Sequence, residues 1–198
     1  MNRNIARLAI VLAFALVGCP SRKEASARIE LPSTPNAAPV QANYQVKRIA
    51  DGDTITVVDS QGAKSRIRFA CIDAPEVPHT KEERASYNPA DLDQFKWGRL
   101  ARNRLTQLIH QGGDRVSLTV VDTDRYGRKV AEVRLPNGTL VQETLAREGL
   151  AVVYHEYIKN CVDAAAVEQA EAQAKQQKLG VWSDSQFVTP SEWRHRSK

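Results

Sequence analysis

Three short runs with strand character, separated by turn-forming residues, constrain this chain more than any other feature. Tyr44-Gln45-Val46-Lys47-Arg48-Ile49 alternates, Thr54 to Val58 is β-branched throughout, and Arg66 to Ile72 alternates with Ile67, Phe69 and Cys71 on one side. Successive side chains of a strand point to opposite faces, so alternating runs bury one face and leave the other to solvent. Asp59-Ser60-Gln61-Gly62 supplies a turn between the second and third runs. A β-meander is the expected result. Val116 to Val121 and Lys129 to Leu135 read as two further strands, followed by an Asn137-Gly138 turn.

Between and after these runs the period changes. Trp97, Leu100, Ala101, Leu105 and Leu108 recur at three and four, which predicts a helix with one apolar stripe, ended by Gly112-Gly113. Val141 to Glu148 reads as a short helix with Gly149 as its C-cap. Asp163 to Leu179, rich in Ala, Glu, Gln and Lys, reads as a last helix capped by Asp163 and stopped by Gly180. Residues 76–91 are polar, hold two prolines and show no period, so a long surface loop is expected. Together these elements describe an α+β chain, mainly β, whose five strands suit a small Greek-key barrel of the OB type.

The N-terminus has a different character. Arg3 and Arg7 form a short basic region, and Ile5 to Val17 is mostly apolar, too short for a comfortable membrane span and of the form of a signal peptide. It ends in Leu16-Val17-Gly18-Cys19, which looks like a bacterial lipobox with Cys19 as the lipidated first mature residue. An ordinary secretory signal with an incidental cysteine is the alternative. Residues 20–42, rich in Pro, Ala and Ser, read as a tether. The expected organisation is a signal peptide at 1–18, a lipidated flexible tether at 19–43, a folded domain at 44–185 and a C-terminal tail at 186–198. With Cys19 assigned, Cys71 and Cys161 remain. Outside the cytoplasm such a pair favours a disulfide, with two buried thiols as the alternative.

Chemistry concentrates at one end of the meander. Asp51-Gly52-Asp53-Thr54 lies at the start of the second strand, and Asp73-Ala74-Pro75-Glu76 lies just past the third. Pairing through the 59–62 turn brings both acidic groups to the same end of the sheet. Hard cations such as calcium take carboxylate, carbonyl and water oxygens, which this end can supply. Asp-Gly is also a common turn and Asp-Ala-Pro-Glu a common loop. Arg68 and Arg128 add groups that bind phosphate bidentately without losing charge, although a lone arginine on a strand is more often part of a surface ion pair. The formal charge of +5 is compatible with a polyanion partner and with many other soluble proteins.

Ile49-Ala50-Asp51-Gly52-Asp53-Thr54, Arg68-Phe69-Ala70-Cys71-Ile72-Asp73-Ala74-Pro75-Glu76, and Asp124-Arg125-Tyr126-Gly127-Arg128 resemble the staphylococcal nuclease (thermonuclease) family in order and spacing. Glu171 to Ser183 is similar to that family's closing helix and tryptophan. The resemblance spans roughly residues 44–185 and implies a five-stranded OB barrel with three helices. It implies Ca2+ held by Asp53, Asp73 and the carbonyl of Ala74, where the family usually has threonine, with Asp51 as a nearby tuning acid. It implies Arg68 and Arg128 on the phosphate, Glu76 as general base, and Arg125, Tyr126 and Tyr157 at the substrate, with His155 where the family has a further tyrosine. The implied activity is nonspecific hydrolysis of DNA and RNA, leaving 3′-phosphate ends. Membrane attachment through the N-terminal lipid, on the periplasmic or outer-surface side of the cell envelope, is expected. No protein partner is implied, and a monomer is expected. The loop 77–91 and the tail Pro190 to Arg194 lie outside the family pattern. A noncatalytic nucleic-acid-binding module is one alternative, and an envelope lipoprotein with a structural or solute-binding role is another. The acids and arginines together favour catalysis.

Overall fold

The computed structural model describes residues 42–196. In chain order these form β1 (Tyr44–Ile49), β2 (Thr54–Val58), β3 (Lys64–Phe69), β4 (Ile72–Asp73), α1 (Lys81–Arg84), α2 (Pro89–Gln111), β5 (Arg115–Thr123), β6 (Lys129–Arg134), α3 (Val141–Arg147), β7 (Val152–Val153), α4 (Ala164–Gln177) and α5 (Pro190–Arg196). Short 3-10 turns at Ile158–Asn160 and Gly180–Ser183 flank α4. The signal peptide, Cys19 and nearly all of the tether fall outside the described residues.

The meander forms as its alternation requires. β1, β2 and β3 pair antiparallel in sequence, β6 joins β3 in parallel, β5 joins β6, and β5 returns to β1 through Tyr44↔Val116 and Gln45↔Arg115. The five strands close into a barrel, in the order β1-β2-β3-β6-β5, so that each of the five is paired on both sides. Ile55, Val57, Ile67, Phe69, Val116, Ala131 and Val133 are buried in the core. Helices pack on this core through Ala101, Leu105, Leu108 and Ile109 of α2, Val141 and Leu145 of α3, and Val167 and Ala170 of α4.

Several expectations change. The described residues hold five α-helices rather than three. The stretch 76–91 is not a plain loop, because α1 and the start of α2 lie within it. Thr80 and Glu83 close a capping box around α1, and Asn88 caps α2 with Pro89 in its first turn. The apolar stripe of α2 becomes clear only past this polar first turn, so periodicity places its start too late. Leu100 is exposed rather than part of the stripe. Asp163 does not cap α4 with its side chain, which pairs instead with Arg134. α4 ends on left-handed Lys178 rather than at Gly180.

The run Arg66 to Ile72 does not continue as one strand. Cys71 adopts φ +70, and Ile72 N–H donates to the Ala70 carbonyl at 2.9 Å, a tight three-residue turn. This turn ends the barrel strand and starts β4, which pairs with β7 through Ile72↔Val153 and Asp73↔Val152. Cys71 is joined to Cys161 by a disulfide with the Cα atoms 5.7 Å apart, and its carbonyl accepts from Tyr154 N–H at 2.8 Å. A non-glycine residue at positive φ is unfavourable, and here it is held on both sides. The tail also folds. Pro190–Arg196 forms α5, which packs on α2 with the Trp193 and Phe95 rings edge-to-face at 5.8 Å.

Candidate active site

The site lies where β2 begins and β3 gives way to β4. Asp51 accepts from Asp53 N–H at 3.0 Å, folding the 51–53 turn, and Asp53 O accepts from Phe69 N–H at 2.8 Å. The register Thr54↔Arg68 then sets Arg68 beside Asp53. Past the turn at Cys71 the chain brings Ala74 N–H to within 2.6 Å of Asp53 Oδ2 and buries Asp73 at 1% exposure. One guanidinium bridges both acids. Arg68 pairs with Asp53 through Nη1 and donates from Nη2 to Asp73 Oδ1 at 2.7 Å.

Glu76 lies on the same loop, partly buried, with its N–H 3.3 Å from Gln94 Oε1 of α2. The backbone of this loop presses directly on α2. A Cβ at Gly98 would stand 1.9 Å from Glu76 O and 2.7 Å from Pro75 O, so only glycine fits. The residue that sequence reading missed is Arg194 of α5. It donates from Nη2 to Asp73 Oδ2 at 2.7 Å, and from Nη1 to Asp73 Oδ1 at 3.2 Å and Glu76 Oε1 at 2.7 Å. The Thr189-Pro190-Ser191-Glu192 capping pattern signals a helix there, since Thr189 Oγ1 and Glu192 exchange hydrogen bonds. Nothing local signals that its arginine reaches a site more than a hundred residues away. Tyr154, also unremarked in sequence, sits close enough to feel the charges of Asp73 and Arg194.

Burial sets the electrostatics. Loss of solvent pushes the Asp53 carboxyl well above its ordinary value, Arg68 opposes the rise, and Asp51 and Asp73 add to it. Burial raises Glu76 as well, opposed by Arg194. Burial also works against the Arg68 charge, but Asp53 and Asp73 outweigh it and hold the guanidinium protonated more firmly than usual.

The other expected residues are held by contacts of their own. Arg128 lies at the head of β6 and is tied to its own turn, with Nε 2.6 Å from Asp124 Oδ2. Arg125 and Arg128 flank the exposed ring of Tyr126 at 5.0 and 5.7 Å, and Arg66 donates to the Tyr126 carbonyl at 3.0 Å. Tyr157 is half exposed and lies 5.1 Å from the Tyr154 ring. The structure therefore gathers Asp51, Asp53, Asp73, Ala74, Glu76 and Arg68, and sets Arg125, Tyr126 and Arg128 on a neighbouring turn. Among the described residues, the one tight group with metal-ligand atoms is Cys71, Glu132 and Cys161, within 4.8 Å of one another. Its sulfurs are spent in the disulfide, so it offers no thiolate to an ion.

Residues 66–184 match the model of the family described as staphylococcal nuclease homologue. A protein named uncharacterized endonuclease from Escherichia coli O157:H7 is 39% identical over 152 residues, covering 77% of this chain and 84% of that protein. A micrococcal nuclease from Shigella flexneri is 34% identical over 172 residues, covering 82% and 87%. The endonuclease YhcR of Bacillus subtilis is 31% identical over 186 residues, covering 89% of this chain but 14% of that much longer protein. The closed five-stranded barrel, the length of the match and these relatives agree that this chain belongs to the staphylococcal nuclease family.

Proposed function

We propose that the protein is a calcium-dependent nuclease that hydrolyses phosphodiester bonds of DNA and RNA and leaves 3′-phosphate ends. The observation that carries this reading is the pair of buried carboxylates, Asp53 and Asp73, bridged by Arg68 with Glu76 alongside. The donor set suits a hard cation. It consists of oxygens only, its carboxylates converge on a single guanidinium, and they are held in place by Ala74 N–H and Arg68. Asp53, Asp73 and the Ala74 carbonyl would hold the ion, with Asp51 strengthening the negative field. When bound, such an ion polarises the phosphoryl group and favours hydroxide formation.

This chain's side chains supply the rest. Arg68 and Arg128 bind the non-bridging phosphate oxygens and stabilise the charge that gathers there in the transition state. Glu76 takes the proton of the attacking water at its carboxylate. Tyr126 and Tyr157 present flat, exposed rings that accept any base, which suits cleavage without sequence preference, and Arg125 adds charge beside Tyr126. The protein acts as a monomer. Export and lipidation at Cys19 complete the reading, supported by the N-terminal sequence and by a disulfide that persists in oxidising compartments.

Purified protein incubated with DNA or RNA should cleave both with calcium and neither with a chelator, at mildly alkaline pH. End-labelling of the products should find 3′-phosphates. Calcium-independent cleavage, or none, would overturn the reading.

A further inference from the structure

We propose that Arg194 is a cation-displaced latch, which holds Asp73 and Glu76 until a divalent cation binds and is then released from them, loosening α5 on its remaining anchors. The proposal rests on Asp53 and Asp73 being the cation ligands. Arg194 forks onto both oxygens of Asp73 and onto Glu76, so it covers the ligand and the proton acceptor together. Arg68 already satisfies Asp73 Oδ1 from the inner side at 2.7 Å. Arg194 approaches from the solvent side, with its side chain 35% exposed against 2% for Asp73.

A carboxylate offers about four lone-pair directions, and Asp73 already accepts three guanidinium bonds. An ion at Asp73 must share oxygens that Arg194 already holds, and its charge repels the guanidinium in a poorly solvated place. Arg194 lies in α5, outside the stretch matched by the family model. The helix is built to stay near the site. Trp193 Nε1 donates to Asp91 at 2.8 Å, its ring packs on Phe95, and Gln94 joins the Val188 carbonyl to Glu76 N–H. Docking of Arg194 and binding of the ion are therefore antagonistic, and linkage makes the antagonism reciprocal.

The test is calcium titration of the full protein by calorimetry, with hydrogen exchange of residues 190–196 followed in parallel. Arg194→Gln should bind calcium about tenfold tighter than the wild type, and Arg194→Lys, which keeps charge without the fork, should fall between. In the wild type, saturating calcium should speed amide exchange in α5, a reading that needs no variant to fold. Equal or weaker calcium binding by Arg194→Gln, or unchanged exchange in α5, would overturn the latch and leave the cation site standing. Absence of calcium binding by both proteins would overturn the latch and the cation site together.

Discussion

Arg68 and Asp73, five residues apart in sequence, meet through a 2.7 Å hydrogen bond across the break between β3 and β4, and the same guanidinium reaches Asp53. Removing it leaves two buried carboxylates without their shared counter-charge. Arg68→Ala should cut turnover on the order of 10²-fold or more. It should also destabilise the ion-free protein by about 3 kcal/mol, the range for breaking a buried pair. Steady-state kinetics and urea unfolding check the two effects, and near-normal turnover would refute the role.

Arg128 separates those effects. Its ion pair with Asp124 is partly exposed and local, so Arg128→Ala should change stability by less than about 1 kcal/mol. Turnover should still fall on the order of 10²-fold. A variant with normal rates would show that the turn at Asp124 to Arg128 does not reach the phosphate.

Gly98 tests the packing of the acid loop on α2. A methyl group there collides with the carbonyls of Pro75 and Glu76, which are backbone atoms and cannot rotate away. Gly98→Ala should cost about 1–3 kcal/mol in unfolding experiments and should lower turnover by displacing Asp73 and Glu76. Unchanged stability would mean that the helix and loop are not in contact.

The pH dependence has a definite sign. Burial raises folded Asp53 above its ordinary value of 3.8, so above that pH the folded state holds a proton that the unfolded state has lost. The contribution of Asp53 to the stability of the ion-free protein, taken as the difference between wild type and Asp53→Asn, should therefore fall as pH rises from about 3.8 through the raised folded value. Calcium, which binds the ionised carboxylate, should offset that loss. Thermal unfolding of both proteins across pH, with calcium and with chelator, measures the two effects, and a wild-type advantage over Asp53→Asn that grows with pH in chelator would contradict the assignment.

The disulfide closes a long loop between residues 90 apart, and pairing Cys71→Ser with Cys161→Ser should cost about 2–4 kcal/mol. Peptide mapping of the nonreduced protein should recover Cys71 linked to Cys161, and two free thiols would reject the bond.

Alternation in Tyr44–Ile49, β-branching in Thr54–Val58 and alternation from Arg66 mark the first three barrel strands, because strand character and turn residues are local properties, but the run to Ile72 conceals the turn at Cys71 that ends the third. The segments around Asp53, Asp73 and Arg68 were legible too, since their order and spacing carry the resemblance. Helix starts at Lys81 and Pro89 were less legible, because polar first turns carry capping signals but no apolar period. The positive φ of Cys71, which turns Asp73 into the site, follows from long-range anchoring by Cys161 and Tyr154. Arg194 is the extreme case. Its own sequence shows a short capped helix, while its meeting with Asp73 depends on Trp193 docking against Phe95 and Asp91. Local sequence determined the elements and the chemical groups of this protein; burial and packing between distant segments decided which of those groups face one another.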